Sequence, residues 1–432
     1  MTSQLVRYRE FSLPPSIRRR DLDRRLQQLA KFGTRFVGGT GETACREWLV
    51  HEFQRLGMAD VHLEKFDYLG YSPIQARCSI AGSADLECVA LQSTASTTAE
   101  GLAVYVGGGS LEELTRAENS LGSLAGRVVV ATSRDLFATG PSLADKQIAG
   151  FVHIESDYHG LIGRYTAALE PPSTRPPFDG KVLPFPAVTV SAQSGQRLLA
   201  EMSAQPTTVV VTHEARYEAA VSYNVVASLG HCGMPDGTVY VGAHYDSAMD
   251  SPGAWDNGTG VAGLLTLAAA ARSLGTKRHI VFIAFGAEEP GLWGSLNYVA
   301  AHRKELAEAI GMLNLDTIGS PFRAPKMLVA SPTMVQLAEG ALRAVGWTPH
   351  QTVPFEQEPQ FDYAPFFRAG VPVAGLLHTT PKHPFYHSPG DTLEHLDLAS
   401  TTATTRATGA IMEALVTARP PDIPSHHLRS SR

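Results

Sequence analysis

The stretch VYVGAHYDSAMDSPGAWDNGTG, residues 239–260, decides how this chain is read. Its first six residues form the continuous apolar run of a strand buried on both faces. The run ends in His244, and Asp246 follows two residues later. A loop rich in Gly, Pro and Ser then carries Asp256 to the start of a helix near Gly258. One imidazole and two carboxylates thereby arrive at the carboxyl end of one strand, which is where open α/β sheets bind their ligands.

The same unit repeats downstream. HIVFIAFG (279–286) precedes the helical pattern LWGSLNYVAAHRKELAEAI (292–310), and MLNLDTIG (312–319) precedes TMVQLAEGALRAVG (333–346). VPVAGLLH (371–378) precedes a last helix near residues 399–418. Apolar strands alternating with helices predict an α/β fold, with a mostly parallel mixed sheet sandwiched by helices. Upstream, residues 20–57 read as two helices and VHLEKFDYLG (61–70) as a strand.

From Pro73 the texture changes to short strand-like runs: ARCSIAG, LECVALQS, LAVYVGGG, GRVVVATS, AGFVHIES and FPAVTVSA. Such spacing predicts a small β-rich module with a helix or two. The expected organisation is 1–72 as the first part of the α/β domain and 73–216 as an inserted module. Residues 217–418 are then the main part with the site, and 419–432 a polar tail without ordered structure.

Length supports more than one core, since 432 residues exceed the ~250 to 300 at which one core stops growing. A net charge of -6 gives no electrostatic footprint for nucleic acid. The run RRRDLDRR (18–25) is interleaved with Asp and reads as a solvated helix start. The first residues lack the ~7 to 15 apolar positions of a secretory signal. No segment approaches the ~18 to 20 apolar residues of a membrane span. The expectation is a cytoplasmic chain with no membrane partner, or a secreted one if a signal has been removed. Cys45, Cys78, Cys88 and Cys232 are too few and too scattered for a disulfide framework, so reduced thiols are expected.

Walking the strand ends collects the chemistry. His244 and Asp246 follow the first strand, Glu288 and Glu289 the second, Asp316 the third, and the loop after the fourth carries Tyr386 and His387. Each has an ordinary reading alone: Asp256 as a helix cap, Asp316 as a turn residue, His387 as a loop histidine. Together they crowd acids into one crevice, which divalent cations would neutralise. Mixed imidazole and carboxylate suits zinc better than magnesium. One carboxylate bridging two ions ~3.5 to 4 Å apart closes the count. His244, Asp256 and Asp316 would hold one ion, and Asp256, Glu289 and His387 the other. Glu288 is then left as general base, and Asp246 as the acceptor that orients the His244 ring.

These residues resemble a known family, the two-zinc exopeptidases that include bacterial secreted aminopeptidases and glutamate carboxypeptidase. The matching motifs are GAHYDS (242–247), WDNGTG (255–260), AFGAEEPGLWGS (284–295), NLDTIGS (314–320), FDYAPFFRAGVP (361–372) and YHSPGDT (386–392). Position by position, the resemblance implies zinc ligands at His244, Asp256, Glu289, Asp316 and His387, with Glu288 as base. It also implies that the Tyr386 hydroxyl stabilises the tetrahedral oxyanion. The module at 73–216 is similar to the protease-associated domain inserted in this family. Phe361 stands where many relatives carry Ser or Asn, so substrate-end recognition does not carry over from any one relative.

The activity implied is hydrolysis of short peptides, with an aminopeptidase favoured. A carboxypeptidase, or an amidohydrolase of N-acylated amino acids or small amides, is the alternative. A non-catalytic receptor-like protein would lack ligands or the base, and a glutaminyl-cyclase-like acyltransferase would be expected to use one metal.

Overall fold

The computed structural model describes residues 11–418 apart from 133–135, 156–160, 167–181, 231–235, 276–277, 321–324, 356–359 and 379–383. The segment PPSTRPPFDG, Cys232 and the tail 419–432 lie outside the described residues.

Two antiparallel strands of 22 residues, Ala59–Ile80 and Thr208–Leu229, pair from Ala59 opposite Ser228 to Ile80 opposite Val209. Thr208–Leu229 belongs to both halves of the molecule. Near its carboxyl end it pairs with His279–Phe285, and the ladder continues through Thr238–His244, Ala309–Asn314 and Val373–Leu377. Those four strands run parallel, whereas Thr208–Leu229 and the outer Met327–Ala330 pair antiparallel. The mostly parallel mixed sheet expected from the apolar runs is therefore present. Near its amino end, Thr208–Leu229 pairs with Thr97–Tyr105, leading to Val128–Ala131, Gly150–Ile154 and Ala187–Val190, again parallel.

Strand alternation sorts the larger core onto two faces. Val239, Val241, Ala243, Ile280, Phe282 and Ala284 face one layer, and Tyr240, Val281, Ile283 and Phe285 the other. The first face is covered by Gly260–Ala271, a helix apolar all round and packed against Arg19–Ala30 and Leu398–Thr417. A helix of that composition belongs in a core. Its fully buried Leu264, Leu265 and Leu267 alone contribute about 5 to 9 kcal/mol of transfer free energy. Trp293–Ala301 and Tyr363–Arg368 cover the opposite face. Two further clusters, around Leu91 and Phe185 and around Val128 and Val209, lie on the two faces of the second half.

Some boundaries differ from expectation. VHLEKFDYLG and ARCSIAG are one strand, with a register shift between Pro73 and Gln75. The helix expected over 292–310 stops at Ala301, and a 3₁₀ turn at Glu305–Glu308 leads into Ala309–Asn314. Pairing of Ala309 with Thr238 in the buried sheet outweighs the helical pattern there. The four-residue strands Met327–Ala330 and Gln351–Pro354 were not expected. Cys45 and Cys78 are buried free thiols, and Cys88 is half-buried. Among the described residues, no helix is long and apolar enough to cross a membrane.

Candidate metal centre

The parallel strands end side by side, so their terminal residues share one crevice. His244 is the last residue of Thr238–His244. Phe285 ends the neighbouring strand, and Ala287 then adopts φ 55°, turning the chain so that Glu288 and Glu289 follow. Asp316 lies two residues past Asn314 beside Thr317 at φ 47°, and His387 itself sits at φ 55°. Left-handed backbone at residues other than glycine costs about 1 to 3 kcal/mol each. Three such residues at or beside the sequence-derived donors mark a place where geometry is held against local preference.

Asp256 lies in the tight turn Ala254–Thr259, with non-helical backbone, and the helix begins after it at Gly260. It does not act as a simple helix cap. The Asp256–Asn257 peptide bond is cis. Asn257 Nδ2 donates to the Leu315 carbonyl at 2.9 Å, and its Oδ1 accepts from Gly260 N at 3.0 Å, tying the Asp256 turn to the Asp316 loop.

The carboxylate of Asp256 is divided between the two histidines. Oδ1 is 3.2 Å from His244 Nε2, and Oδ2 is 3.1 Å from His387 Nε2. His244 Nε2 also lies 3.4 Å from Asp316 Oδ2, and His387 Nε2 lies 3.1 Å from Glu289 Oε2. All five sequence-derived ligands therefore meet. Glu288 is brought to the same place, its carboxylate grouping with His244 and Asp316 within 4.8 Å. A second grouping within that distance is His244, Asp256 and Glu289.

Asp246 is completely buried, and both its oxygens accept backbone N–H bonds, from Glu288 at 3.1 Å and Glu289 at 3.2 Å. Its contact with His244 Nδ1 is 3.6 Å, longer than a hydrogen bond. Asp246 thus does more than face the His244 ring: it anchors the turn that presents both glutamates.

The charge balance is lopsided. Burial pushes the Glu288 and Glu289 carboxyls well above the usual range, and neighbouring acids add to it. Burial also raises Asp316. Burial acts to lower His244, but Asp316, Glu288, Asp246 and Asp256 together outweigh it and hold the imidazole well above its ordinary value. For Asp256 burial acts upward, and the two flanking imidazoles overcome it and hold the carboxyl low.

Sequence reasoning assigned no role to two further acids. Asp391, in the quoted YHSPGDT, accepts from Trp255 N at 2.8 Å and Asp256 N at 3.0 Å, and burial lifts its carboxyl to about 7. Asp362, beside the divergent Phe361, is fully buried and lifted by burial to about 7. Spacing held no signal for either, because each is defined by what it meets from distant chain.

Whether a cation fits can be judged on the donor atoms. Glu289 Oε1, on a carboxylate that faces the cluster, is buried without a hydrogen-bond partner. Unpaired buried ionic groups cost several kcal/mol. A hard-to-borderline divalent cation between imidazole and carboxylate donors relieves that cost, and the donor set matches zinc.

Tyr386 is half-buried, with its ring stacked on His387 at 3.8 Å between centroids and edge-on to Trp255 at 6.0 Å. It also packs against the apolar cluster around Leu91 and Phe185 in the second half of the molecule.

Known proteins resemble this chain in sequence and in fold. Residues 224–412 match the family model described as Peptidase family M28. The chain is 31% identical over 234 residues to aminopeptidase YwaD of Bacillus subtilis, covering 51% of this chain and 49% of that one. It is 26% identical over 389 residues to probable leucine aminopeptidase 2 of Aspergillus fumigatus, covering 84% and 73%. The matches span 49% and 36% of the first two curated relatives, half their length or less. Among solved structures, an aminopeptidase from Aneurinibacillus sp. strain AM-1 superposes with a TM-score of 0.70 at 23% identity, covering 93% of this chain and 94% of that one. A zinc aminopeptidase from Bacillus subtilis gives 0.69 at 22%, covering 96% and 99%. These structures share the fold. Residues 224–412, which hold every donor described above, are thus similar to peptidase family M28.

Proposed function

We propose that this protein is a two-zinc exopeptidase, an aminopeptidase of short peptides. The observation that carries the reading is the division of Asp256, one oxygen toward His244 and the other toward His387. His244, Asp256 and Asp316 would hold one ion, and His387, Asp256 and Glu289 the other. Zinc bound there supplies a Lewis acid for the scissile carbonyl and lowers the pKa of water.

The chain's own groups do the rest. Glu288 takes the proton from the attacking water on a carboxylate oxygen and returns it to the departing amine. Asp246 keeps Glu288 and Glu289 in register through their backbone N–H groups. The Tyr386 hydroxyl holds the developing oxyanion.

A cleft of about 310 Å³ opens beside Glu289, lined by Phe36, Tyr71, Ile74, Met249 and Arg164 among others. That volume suits the end of a short peptide. Residues on both sides of position 73 line it, which supports reading 73–216 as an inserted protease-associated-like module at the crevice. The relatives named as aminopeptidases support the amino-terminal direction.

A dipeptide panel tests the direction of attack. Peptides with a free amine, including C-amidated ones, are expected to be cleaved and N-acetylated ones spared. Cleavage confined to N-blocked substrates with a free carboxylate would replace this reading with the carboxypeptidase or amidohydrolase one.

A further inference from the structure

The two histidines at the centre are oriented from different parts of the chain. His244 is faced by Asp246 from its own loop. His387 is faced by residue 164, more than two hundred positions earlier. Its Nδ1 lies 2.9 Å from the Arg164 carbonyl oxygen, and in return Arg164 N–H donates to the His387 carbonyl at 2.8 Å. A carbonyl only accepts, so Nδ1 carries the hydrogen, and in the neutral ring Nε2 keeps its lone pair toward Asp256 and Glu289.

Two residues on, the Thr166 hydroxyl donates to the Glu289 carbonyl at 2.9 Å. The same short segment therefore grips both donors of one metal position other than the shared Asp256. The Tyr165 ring between them lies over the His387 ring at 5.6 Å.

The segment is itself braced from the second half of the molecule. Gln92 N donates to the Tyr165 carbonyl at 3.0 Å. Glu155 accepts from Gly163 N at 3.1 Å and from the Tyr165 hydroxyl at 2.9 Å. Arg164 reaches the other way, pairing with Asp250 in the loop after His244. His387 sits at φ 55°, a conformation that persists only where surroundings over-determine it, and here two hydrogen bonds to residue 164 do so.

We propose that segment 163–166 is a positioning element for one of the two metal positions, the one formed by Glu289 and His387, so that occupancy of that position depends on the inserted module while the His244–Asp316 position does not. The inference rests on the two-zinc reading above. Partners behind metal ligands typically govern affinity by about 10- to 100-fold. The hydrogen bonds that 163–166 makes to the donors go to His387 and Glu289, so that dependence falls on one ion alone.

The test titrates zinc into metal-stripped full-length protein against a chromophoric chelator, for the wild type, Thr166→Val, Arg164→Ala/Thr166→Val, and Thr166→Ser, which keeps the hydroxyl. The wild type is expected to bind two zinc ions. Thr166→Val and the double variant are expected to bind one ion as the wild type does and the other about 10-fold or more weakly. Thr166→Ser should restore it, with metal-free melting midpoints close to wild type throughout. Two ions bound at wild-type affinity by both valine variants would overturn the inference and leave the two-zinc reading intact. Equal weakening of both ions together with a lower midpoint would overturn it too, reducing the segment to general support. A wild type that binds no zinc would overturn the two-zinc reading itself, and the inference with it.

Discussion

Asp391 holds the backbone N–H of Asp256 at 3.0 Å with one oxygen, while its other oxygen takes that of Trp255 at 2.8 Å. The acid proposed to bridge the two metal positions is thus fixed by a second acid from the loop that carries His387. Asp391→Ala leaves two buried N–H groups without an acceptor, at about 1 to 3 kcal/mol each. The expected outcome is a clear loss of stability in urea unfolding, with both zinc affinities reduced, because Asp256 serves both positions. Unchanged stability and unchanged affinities would contradict this role.

Glu288 is proposed to move a proton, and Gln at that position keeps shape and loses basicity. Glu288→Gln is expected to bind zinc as the wild type does and to lose about 100- to 10,000-fold in kcat, the range spanned by general acid–base groups. KM should change little. Turnover close to wild type would remove Glu288 from the mechanism.

His213 lies away from the metal donors, in the part of Thr208–Leu229 that pairs with Thr97–Tyr105. Thr94 donates its only hydroxyl hydrogen to the Leu91 carbonyl at 2.7 Å, so it accepts from His213 Nδ1 at 2.9 Å. Nε2 then accepts from the Tyr71 hydroxyl at 3.1 Å, a set that only the neutral ring satisfies. Burial pulls this imidazole down to about 4. Between pH 6.5 and 4 the unfolded chain therefore binds a proton that the folded one refuses, and stability falls as pH drops through that window. At about 1.4 kcal/mol per pH unit, the loss from this one group is roughly 2 kcal/mol at pH 5. Unfolding of metal-free wild type and His213→Asn at pH 7 and pH 5 should show the variant losing less on acidification. Identical losses would contradict the assignment.

Much of the larger half was legible because its buried parallel strands are continuous apolar runs, each ending where a donor follows. His244, Glu288, Glu289 and Asp316 could be found by walking those ends. The strands Ala59–Ile80 and Thr208–Leu229 were not legible as single elements. Each passes from one hydrophobic core to another, so no single alternation runs its length, and Pro73 reads as a break. Ala309–Asn314 was misjudged at its start because local helical pattern yielded to pairing in the sheet.

At the site, the donors left a spacing signal and their supports did not. Asp391 acts on the N–H of a residue 135 positions away. Arg164 acts on His387 through its backbone, which any residue but proline could supply in full. Thr166 looks in sequence like any loop threonine. Contacts of this kind depend on how the two halves are docked, and that is written in no local pattern.

The most direct measurement is elemental analysis of zinc-supplemented, extensively dialysed protein, beside the Asp256→Ala variant. Two zinc ions per wild-type chain, with both lost from the variant, is the result this account predicts. A wild type retaining no zinc, or an Asp256→Ala protein still holding two ions at wild-type affinity, would contradict it.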